Sequence, residues 1–555
     1  MKTNKLTKIV GSWSGHDCSF CVFENGMPTV HAEYERYNRE KSPSGDALNF
    51  LFDRCSNLDD VDHFIGCYPK GKTLHYDESY QKIKKIIENR NGTLRFISHH
   101  KAHAAHAFYS SKFNNALVIT LDGGGVEDDR GGESACTVWM GKGTKLHHIK
   151  TFKPHEINIG GVWTRITRYI FKLQNGWPLG SQEGTVMAMA SMGDPNKYFD
   201  DFWRMLTEDK VIASHKPVDQ PVGPYVPGKD PVHPYLDHWA QIAQNSEQDK
   251  FDLAAGLQKA TEELIKQFIF SMIQNANLYD TSLNHLCIAG GVALNSVAMG
   301  KIKDWFPESV KEVYIPPVPY DGGLCLGAAQ YLWHHILDNK RIQWKDNFSP
   351  FLGERWDQNH FNATLSKFAD EIEVTKVTDS DVIELLSTQH IISVFNEGSE
   401  SGRRALGNRS ILADPRCEKM KDKINERVKH RQWFRPFAPS ILREEVSKWF
   451  VRDVDSPYMQ FVLKFKEGRE KEVPAVAHYD NTARLQTVTK NDNLWYYNFL
   501  QMWFKKTGTP ILLNTSFNDR EPICENSFHA ISCFLNTEID YLYFPEYSSL
   551  IKRSK

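Results

Sequence analysis

The chain has 555 residues, 41% hydrophobic and 25% charged: the balance of an ordinary globular protein, and too long for a single compact core. A formal net charge of −2 excludes a global positive field for DNA or an anionic membrane, though not a local basic groove. Residues 1–8 are basic, but only Ile9-Val10 follow before Gly11, so neither a signal peptide nor a spanning segment is expected, and no membrane partner; a cytoplasmic protein is expected.

Lys8-Ile9-Val10-Gly11-Ser12 predicts a strand, and Ser19-Phe20-Cys21-Val22-Phe23 a second, closed by the hairpin signal Glu24-Asn25-Gly26. Cys18-x-x-Cys21 has no partner pair, so it reads as part of a half-buried strand, and the scattered cysteines as reduced thiols. His16 sits in the turn between the two strands. It either faces the cleft beside the sheet as an acid or base, or only orients backbone. Strand 61–66 and a charged helix over 80–88 follow. After the strand Leu94-Arg95-Phe96-Ile97, the run from Ser98 to Tyr109 predicts a helix, since no Gly or Pro interrupts it. His99 and His103 stand at i and i+4 and share one face, a spacing that can grip a metal ion or merely cap a surface helix.

The apolar strand Ala116-Leu117-Val118-Ile119-Thr120-Leu121 is expected to end in Asp122-Gly123-Gly124-Gly125. Asp122 can complete a ligand set, and the glycines suit either a phosphate loop or a plain tight turn. A strand over 133–139 returns. Residues 160–193 are rich in Gly, Met and aromatics, which suits packing. Residues 209–249 lack periodicity and read as an inserted surface lobe; 251–276 predicts a long amphipathic helix. A strand over 285–289 leads into Gly290-Gly291-Val292-Ala293-Leu294-Asn295, a strand-to-helix turn where phosphate or nucleotide can sit, or where a helix packs closely on a sheet. Asp321-Gly322-Gly323 repeats the acid-before-glycine pattern after another strand. Two such positions predict a duplicated α/β lobe with a ligand cleft. The pattern breaks near 338–354, which divides the chain into domains 1–345 and 346–555.

The second domain is expected to be an α/β twisted sheet with one dense basic region, Arg403, Arg404, Arg409 and Arg416, then Lys429, Arg431 and Arg435. These are interleaved with Gly, Pro and apolar residues, not with Glu at helical spacing. That suits guanidinium forks aimed into an anion pocket, with nucleic acid as the competing ligand. Two polar-tipped strands follow, one with Arg484 and one with Asn514 and Ser516.

Taken in order, His16-Asp17, His99-His100-x-Ala102-His103, Asp122-Gly123, Gly290-Gly291-Val292-Ala293-x-Asn295, Asp321-Gly322-Gly323, Arg404-Ala405-Leu406-Gly407-x-Arg409-Ser410, Arg435-Pro436-Phe437-Ala438-Pro439, Thr482-Ala483-Arg484 and Asn514-Thr515-Ser516-Phe517-Asn518 resemble the O-carbamoyltransferase family of nodulation and antibiotic-tailoring enzymes, the cephalosporin and tobramycin types included. The resemblance implies an actin-like ATPase fold in the first domain, similar to the tRNA threonylcarbamoyl transferase. It implies an acyl-adenylate-forming second domain, where carbamoyl phosphate is hydrolysed and ATP, with Mg2+, gives carbamoyl-adenylate. By the same resemblance His99, His103, Asp122 and Asp321 hold iron(II) and His16 faces the transferred group. Gly123, Gly124, Gly290, Gly291 and Asn295 meet nucleotide. Arg404, Arg409, Arg435, Arg484, Asn514 and Ser516 meet carbamoyl phosphate and ATP, with Arg404 and Arg435 catalytic.

The chain departs from the pattern at Gly184-Thr185-Val186-Met187, where relatives often carry Gly-Lys-Val-Met. It departs again at Gly402-Arg403-Arg404, for Gly-Pro-Arg, and at Arg520-Glu521-Pro522, for Gly-Glu-Pro. A threonylcarbamoyl-type transferase and a sugar kinase or nucleotide-binding scaffold are the alternatives. The acceptor is expected to be a sugar or natural-product alcohol, or the hydroxymethyl of 5-hydroxymethylcytosine, which would make a nucleic acid a partner. Selectivity is expected in the 209–249 lobe. A homodimer is compatible with all of these readings.

Overall fold

The computed structural model describes residues 6–55, 58–67, 78–126, 133–173, 182–208, 234–277, 280, 283–344 and 347–554. The chain divides into two compact α/β units, Met1–Phe348 and Ser349–Lys555.

The first unit opens with β1 (Lys8–Trp13), β2 (Gly15–His16), β3 (Ser19–Glu24), β4 (Met27–Glu33), β5 (Ser44–Gly45), β6 (His63–Cys67) and β7 (Thr93–Ile97). Five of these form a sheet in the order β4-β3-β1-β6-β7, while β2 and β5 pair with each other. β1 runs antiparallel to β3 and parallel to β6. Its Ile9 and Val10, like Phe64 and Ile65 of β6, have no exposed surface. Such unbroken apolar runs are what a strand needs when both faces of its sheet are covered. The β3–β4 hairpin turns on Asn25 (φ 50) and Gly26 (φ 84), the left-handed pair that a two-residue turn requires.

A second sheet follows from β8 (Asn115–Val126), β9 (Glu133–Lys142), β10 (Lys145–Phe152), β11 (His285–Ala289) and β12 (Glu312–Tyr314), in the order β10-β9-β8-β11-β12. Here too the first strand is antiparallel to the second and parallel to the fourth. Strand order and strand senses therefore repeat between the two sheets. That repeat is the duplicated lobe of an actin-like ATPase fold. Helix His99–Tyr109, which leaves the first sheet, packs on β8 and β11 of the second. Helix Leu324–Tyr331, which leaves the second sheet, packs on β1, β3 and β6 of the first. The two helices also pack on each other, and a Cβ on Gly327 would lie 1.9 Å from the Ala102 carbonyl oxygen.

The triple glycine after Asp122 differs from its expected form. The chain stays in strand through Val126, and the β8–β9 register slips between Leu121 and Gly125. A bulge thus stands where the sequence left open a phosphate loop or a plain tight turn, and it re-aims the side chain of Asp122. Of the expected inserted lobe, 209–233 lie outside the described residues and Pro234–Asn245 is helical. The long helix extends over Glu247–Asn277. Cys18 and Cys21 are both fully buried, deeper than the half-buried strand expected.

The second unit is built on a nine-stranded sheet. Its strands are β13 (Ile372–Lys376), β14 (Ile392–Phe395), β15 (Arg409–Ala413), β16 (Ala438–Leu442), β17 (Phe461–Lys464), β18 (Thr482–Val488), β19 (Ile511–Ser516), β20 (Tyr541–Phe544) and β21 (Ser549–Arg553). They lie in the order β13-β21-β20-β14-β15-β19-β16-β18-β17. Helix Leu494–Thr507 begins on an Asn493 cap and ends at Gly508 (φ 74), and lays Tyr496, Phe499, Leu500 and Trp503 on the sheet core. No helix among the described residues is long and apolar enough to cross a membrane.

Candidate functional site

In the first unit the two lobes bring four ligand-type side chains together. His99 and His103 come from one helix, one turn apart. Asp122 comes from the bulge of β8, and Asp321 from the turn Asp321–Gly323 that starts helix Leu324–Tyr331. Asp122 Oδ2 lies 3.2 Å from His99 Nε2 and 2.9 Å from His103 Nε2. Asp321 Oδ1 lies 3.5 and 3.4 Å from the same two nitrogens, which are 3.2 Å from each other. Neighbouring donors on one cation at about 2.1 Å would stand about 3.0 to 3.4 Å apart, so the set matches a single ion. Asp321 Oδ2 is buried and is turned toward His16 Nε2, 3.1 Å away. Burial works against charge here, yet Asp122 and Asp321 hold His103 up at about 9. Burial likewise opposes the charge of Asp122, but His103 and His99 draw it well below the carboxylate range. A buried and a part-buried acid thus demand positive charge at this point, and a divalent cation on two imidazoles and two carboxylates answers that demand.

Around this cluster the roles of the neighbours separate. His16 Nε2 lies 3.1 Å from Asp321 Oδ2 and its Nδ1 3.3 Å from Asp17 Oδ2; its side chain is 40% exposed, which puts it on the open side of the cluster. Trp13 donates its indole N–H to the His16 carbonyl at 2.6 Å and sets its ring edge-on to His99, 5.4 Å between centroids. His100 turns away: Nδ1 meets Thr120 Oγ1 at 2.7 Å and Nε2 the Ser134 carbonyl at 3.0 Å, and burial lowers it to about 3, so it stays neutral. His106, also held neutral by burial, meets Ser110 Oγ and Gln330 Oε1 at 3.0 and 3.3 Å and so ties its helix to the other lobe's.

The glycines crowd about Asp122. A Cβ on Gly290 (φ 95) would lie 2.1 Å from the Leu121 carbonyl oxygen, and one on Gly291 would lie 3.3 Å from Asp122 Oδ1. A Cβ on Gly160 would likewise lie 2.5 Å from the Gly123 nitrogen. The Gly123 N–H donates to Asp122 Oδ1 at 2.6 Å, and Gly124 follows in the same strand. Asn295 departs from its expected place at a nucleotide. Its Oδ1 accepts from Ala298 N, capping helix Ser296–Trp305, and it exchanges two amide hydrogen bonds with Gln258 at 3.0 and 3.1 Å. A buried amide so committed shapes the turn and offers a ligand little.

In the second unit four guanidinium groups gather. Burial depresses Arg484 well below the arginine range, and Arg404, Arg431 and Arg435 push it further. Arg431 is lowered by burial and by Arg435, and Arg435 by burial, to about 10. Charges held at such cost are relieved when an anion enters. Arg484 Nε is buried without a hydrogen-bond partner. Arg409 is a correction to the expected set: all its donors go to carbonyls, of Cys524, Asn396, Asn408, Glu397 and Glu525, and its guanidinium lies 3.5 Å over the Phe395 ring. No N–H is left for a phosphate. Asn514 donates to Ala405 O, Ser440 Oγ and Gln486 Oε1 and keeps a buried Oδ1 without a partner. Ser516 Oγ meets Asn518 Oδ1 at 2.7 Å. Lys429 and Arg431 stood in the basic region and Asn518 in a motif read from sequence, but none of the three was named there as a site residue. Lys429 Nζ donates to the carbonyls of Ser516 and Asn518 and to Asn518 Oδ1. The alternation Lys429-x-Arg431 and Ser516-x-Asn518, two residues apart on facing segments, was the available signal. Buried Glu400 accepts from the backbone N–H groups of Leu406 and Arg409 and so shapes the loop that carries Arg404.

An actin-like pair of lobes around a two-histidine, two-aspartate cluster, followed in one chain by a mixed-sheet unit with an arginine pocket, defines a two-unit α/β group-transfer enzyme. Residues 68–330 match the family Carbamoyltransferase N-terminus and residues 383–551 Carbamoyltransferase C-terminus. An uncharacterized protein of Synechocystis is 33% identical over 97% of this chain and 95% of its own length. Nodulation protein NolNO of Sinorhizobium fredii is 33% identical over 97% of this chain and 79% of its own. The crystal structure of T. kodakarensis HypF is 15% identical, with a TM-score of 0.36 over 60% of this chain and 48% of that one; the fold described here rests on strand order. The chain belongs to the carbamoyltransferase family and is an enzyme of carbamoyl transfer.

Proposed function

We propose that the chain is an ATP-dependent O-carbamoyltransferase, which makes carbamoyl-adenylate from carbamoyl phosphate and ATP and passes the carbamoyl group to an alcohol. The observation that carries this reading is the presence in one chain of the His99, His103, Asp122 and Asp321 cluster, faced by a part-exposed His16, and the Arg404, Arg431, Arg435 and Arg484 pocket.

The arginines hold phosphate oxygens and the charge that develops on them. Hydrolysis of carbamoyl phosphate there leaves carbamate and inorganic phosphate. A carbamate oxygen attacks the α-phosphorus of ATP, supplied with Mg2+; pyrophosphate leaves with the bond's electron pair, and carbamoyl-adenylate remains. Carbamate is short-lived in water, so its activation where it forms limits loss. In the first unit the adenylate is received beside Asp122, along the glycine backbone of Gly123, Gly124, Gly290 and Gly291. The acceptor oxygen attacks the carbamoyl carbon, the bond from that carbon to AMP breaks, and the hydroxyl proton goes to His16. A divalent ion on His99, His103, Asp122 and Asp321, iron(II) by the family resemblance, would supply Lewis-acid polarisation of the carbonyl. The acceptor class is a sugar or natural-product alcohol.

The test supplies carbamoyl phosphate, ATP and Mg2+ with a panel of alcohols, 5-hydroxymethylcytosine among them. Phosphorus NMR reads the nucleotide products and mass spectrometry the acceptor. AMP, pyrophosphate and an acceptor heavier by one carbamoyl group are expected. ADP with a phosphorylated acceptor would establish a kinase instead.

A further inference from the structure

Beside the arginine pocket lies a feature that phosphate binding does not use. Trp433 stands between Arg431 and Arg435 in sequence and is 48% exposed; Tyr479, 47% exposed, sets its ring edge-on to it, 5.9 Å between centroids. Large rings left in water in pairs mark binding surfaces. Both are held firmly. Asn425 Nδ2 donates to the carbonyls of Trp433 and Arg435 at 3.1 and 2.9 Å, and its Oδ1 accepts from Arg431 Nε at 2.8 Å. One asparagine thus ties the backbone at Trp433 and Arg435 to the guanidinium of Arg431 on one loop. Tyr479 sits in a turn closed by His478 N–H to the Thr482 carbonyl and by Thr482 Oγ1 to Asp480, and that turn leads straight into β18, which carries Arg484. Lys421 Nζ lies 4.3 Å over the Tyr479 ring and donates to its hydroxyl at 2.9 Å, which fixes the ring and adds a cation.

We propose that Trp433 and Tyr479 form an aromatic step that stacks the base of the nucleotide whose phosphates the arginines hold. This inference rests on the reading of the arginine pocket given above. A ligand with a flat π-face and an anionic chain in one molecule fits both features at once, and a nucleoside triphosphate has that shape. Stacking on an aromatic ring tolerates any base, since each has a π-face. The edge-on pair offers one face for stacking and one rim to bound the base.

Calorimetry on the full chain tests the step with two probes, ATP and inorganic tripolyphosphate, which keeps the charges and lacks the base. Trp433→Ala should weaken ATP about 5- to 150-fold, the range of one lost base–aromatic stack, and leave tripolyphosphate unchanged. Trp433→Phe should recover most of the ATP affinity, and Tyr479→Ala should fall between. Equal losses for both probes, or no loss for ATP, overturn the step. If Arg484→Ala leaves both probes at wild-type affinity, the arginine pocket is not the phosphate site, and that reading falls and the step with it.

Discussion

Arg484 and Arg409 are both arginines of buried strands, and only their neighbours tell them apart. Arg409 meets a ring of carbonyls, while Arg484 meets other guanidinium groups. Replacing Arg484 by Met keeps much of the volume and removes a repelled charge. Arg484→Met is therefore expected to raise the ligand-free unfolding midpoint, by the equivalent of about 1 to 2 kcal/mol, and to abolish stabilisation by added tripolyphosphate. Differential scanning fluorimetry with and without that anion checks both signs. At the metal cluster the logic reverses. His103→Ala removes one of the four donors, so bound divalent metal should fall at least about 10-fold by elemental analysis. Sequence showed both histidines and both acids, because helical spacing and acid-before-glycine turns are local patterns. It did not separate Arg409 from Arg484, or Asn295 from a ligand contact. Those distinctions depend on carbonyls and side chains far away in sequence, such as Gln258 across 37 residues.

At the scale of elements, Gly327 decides how closely two helices cross. Helix His99–Tyr109 carries two of the four ligands, and helix Leu324–Tyr331 follows directly on the third, Asp321. A Cβ at Gly327 would stand 1.9 Å from the Ala102 carbonyl oxygen, a backbone atom that cannot rotate aside. Gly327→Ala must therefore move one helix. Overpacking of this kind costs about 1 to 3 kcal/mol, and a shift of even 1 Å spoils donor spacings of 2.9–3.5 Å. The variant is expected to lose both midpoint and bound metal, whereas an exposed-helix control such as Gln267→Ala loses neither; thermal unfolding with elemental analysis reads both. The sequence placed the first helix from its unbroken Ala, Lys and His run and the second from the glycines after Asp321 that start it. It missed that β8 continues past Asp122, because a triple glycine has the same local signature in a loop and in a bulged strand, and only the pairing of β9 settles it.

For the whole molecule, a duplicated lobe was expected from two acid-before-glycine positions, but both belong to the second sheet, Asp122 on β8 and Asp321 after β12; the duplication shows instead in the strand order β4-β3-β1-β6-β7, repeated as β10-β9-β8-β11-β12. The nine-stranded sheet was legible only as α/β, since its order joins strands far apart in sequence, β13 beside β21 and β15 beside β19. The proposed division of labour follows from where the charged groups lie. Arg435 and its partners belong to the unit Ser349–Lys555, and His16 to the unit Met1–Phe348. If activation is confined to the first of these and transfer to the second, the two half-reactions can be cut apart. His16→Ala should lower carbamoyl transfer by about 10² to 10⁴, the contribution of one acid–base group, and leave carbamoyl-phosphate-dependent exchange of labelled pyrophosphate into ATP within about two-fold. Arg435→Ala should abolish the exchange, because the pyrophosphate charge loses its cradle, and transfer must then fail for lack of adenylate. A His16→Ala protein that loses exchange as fully as transfer would show that the histidine serves both steps, and a single shared centre would replace the division.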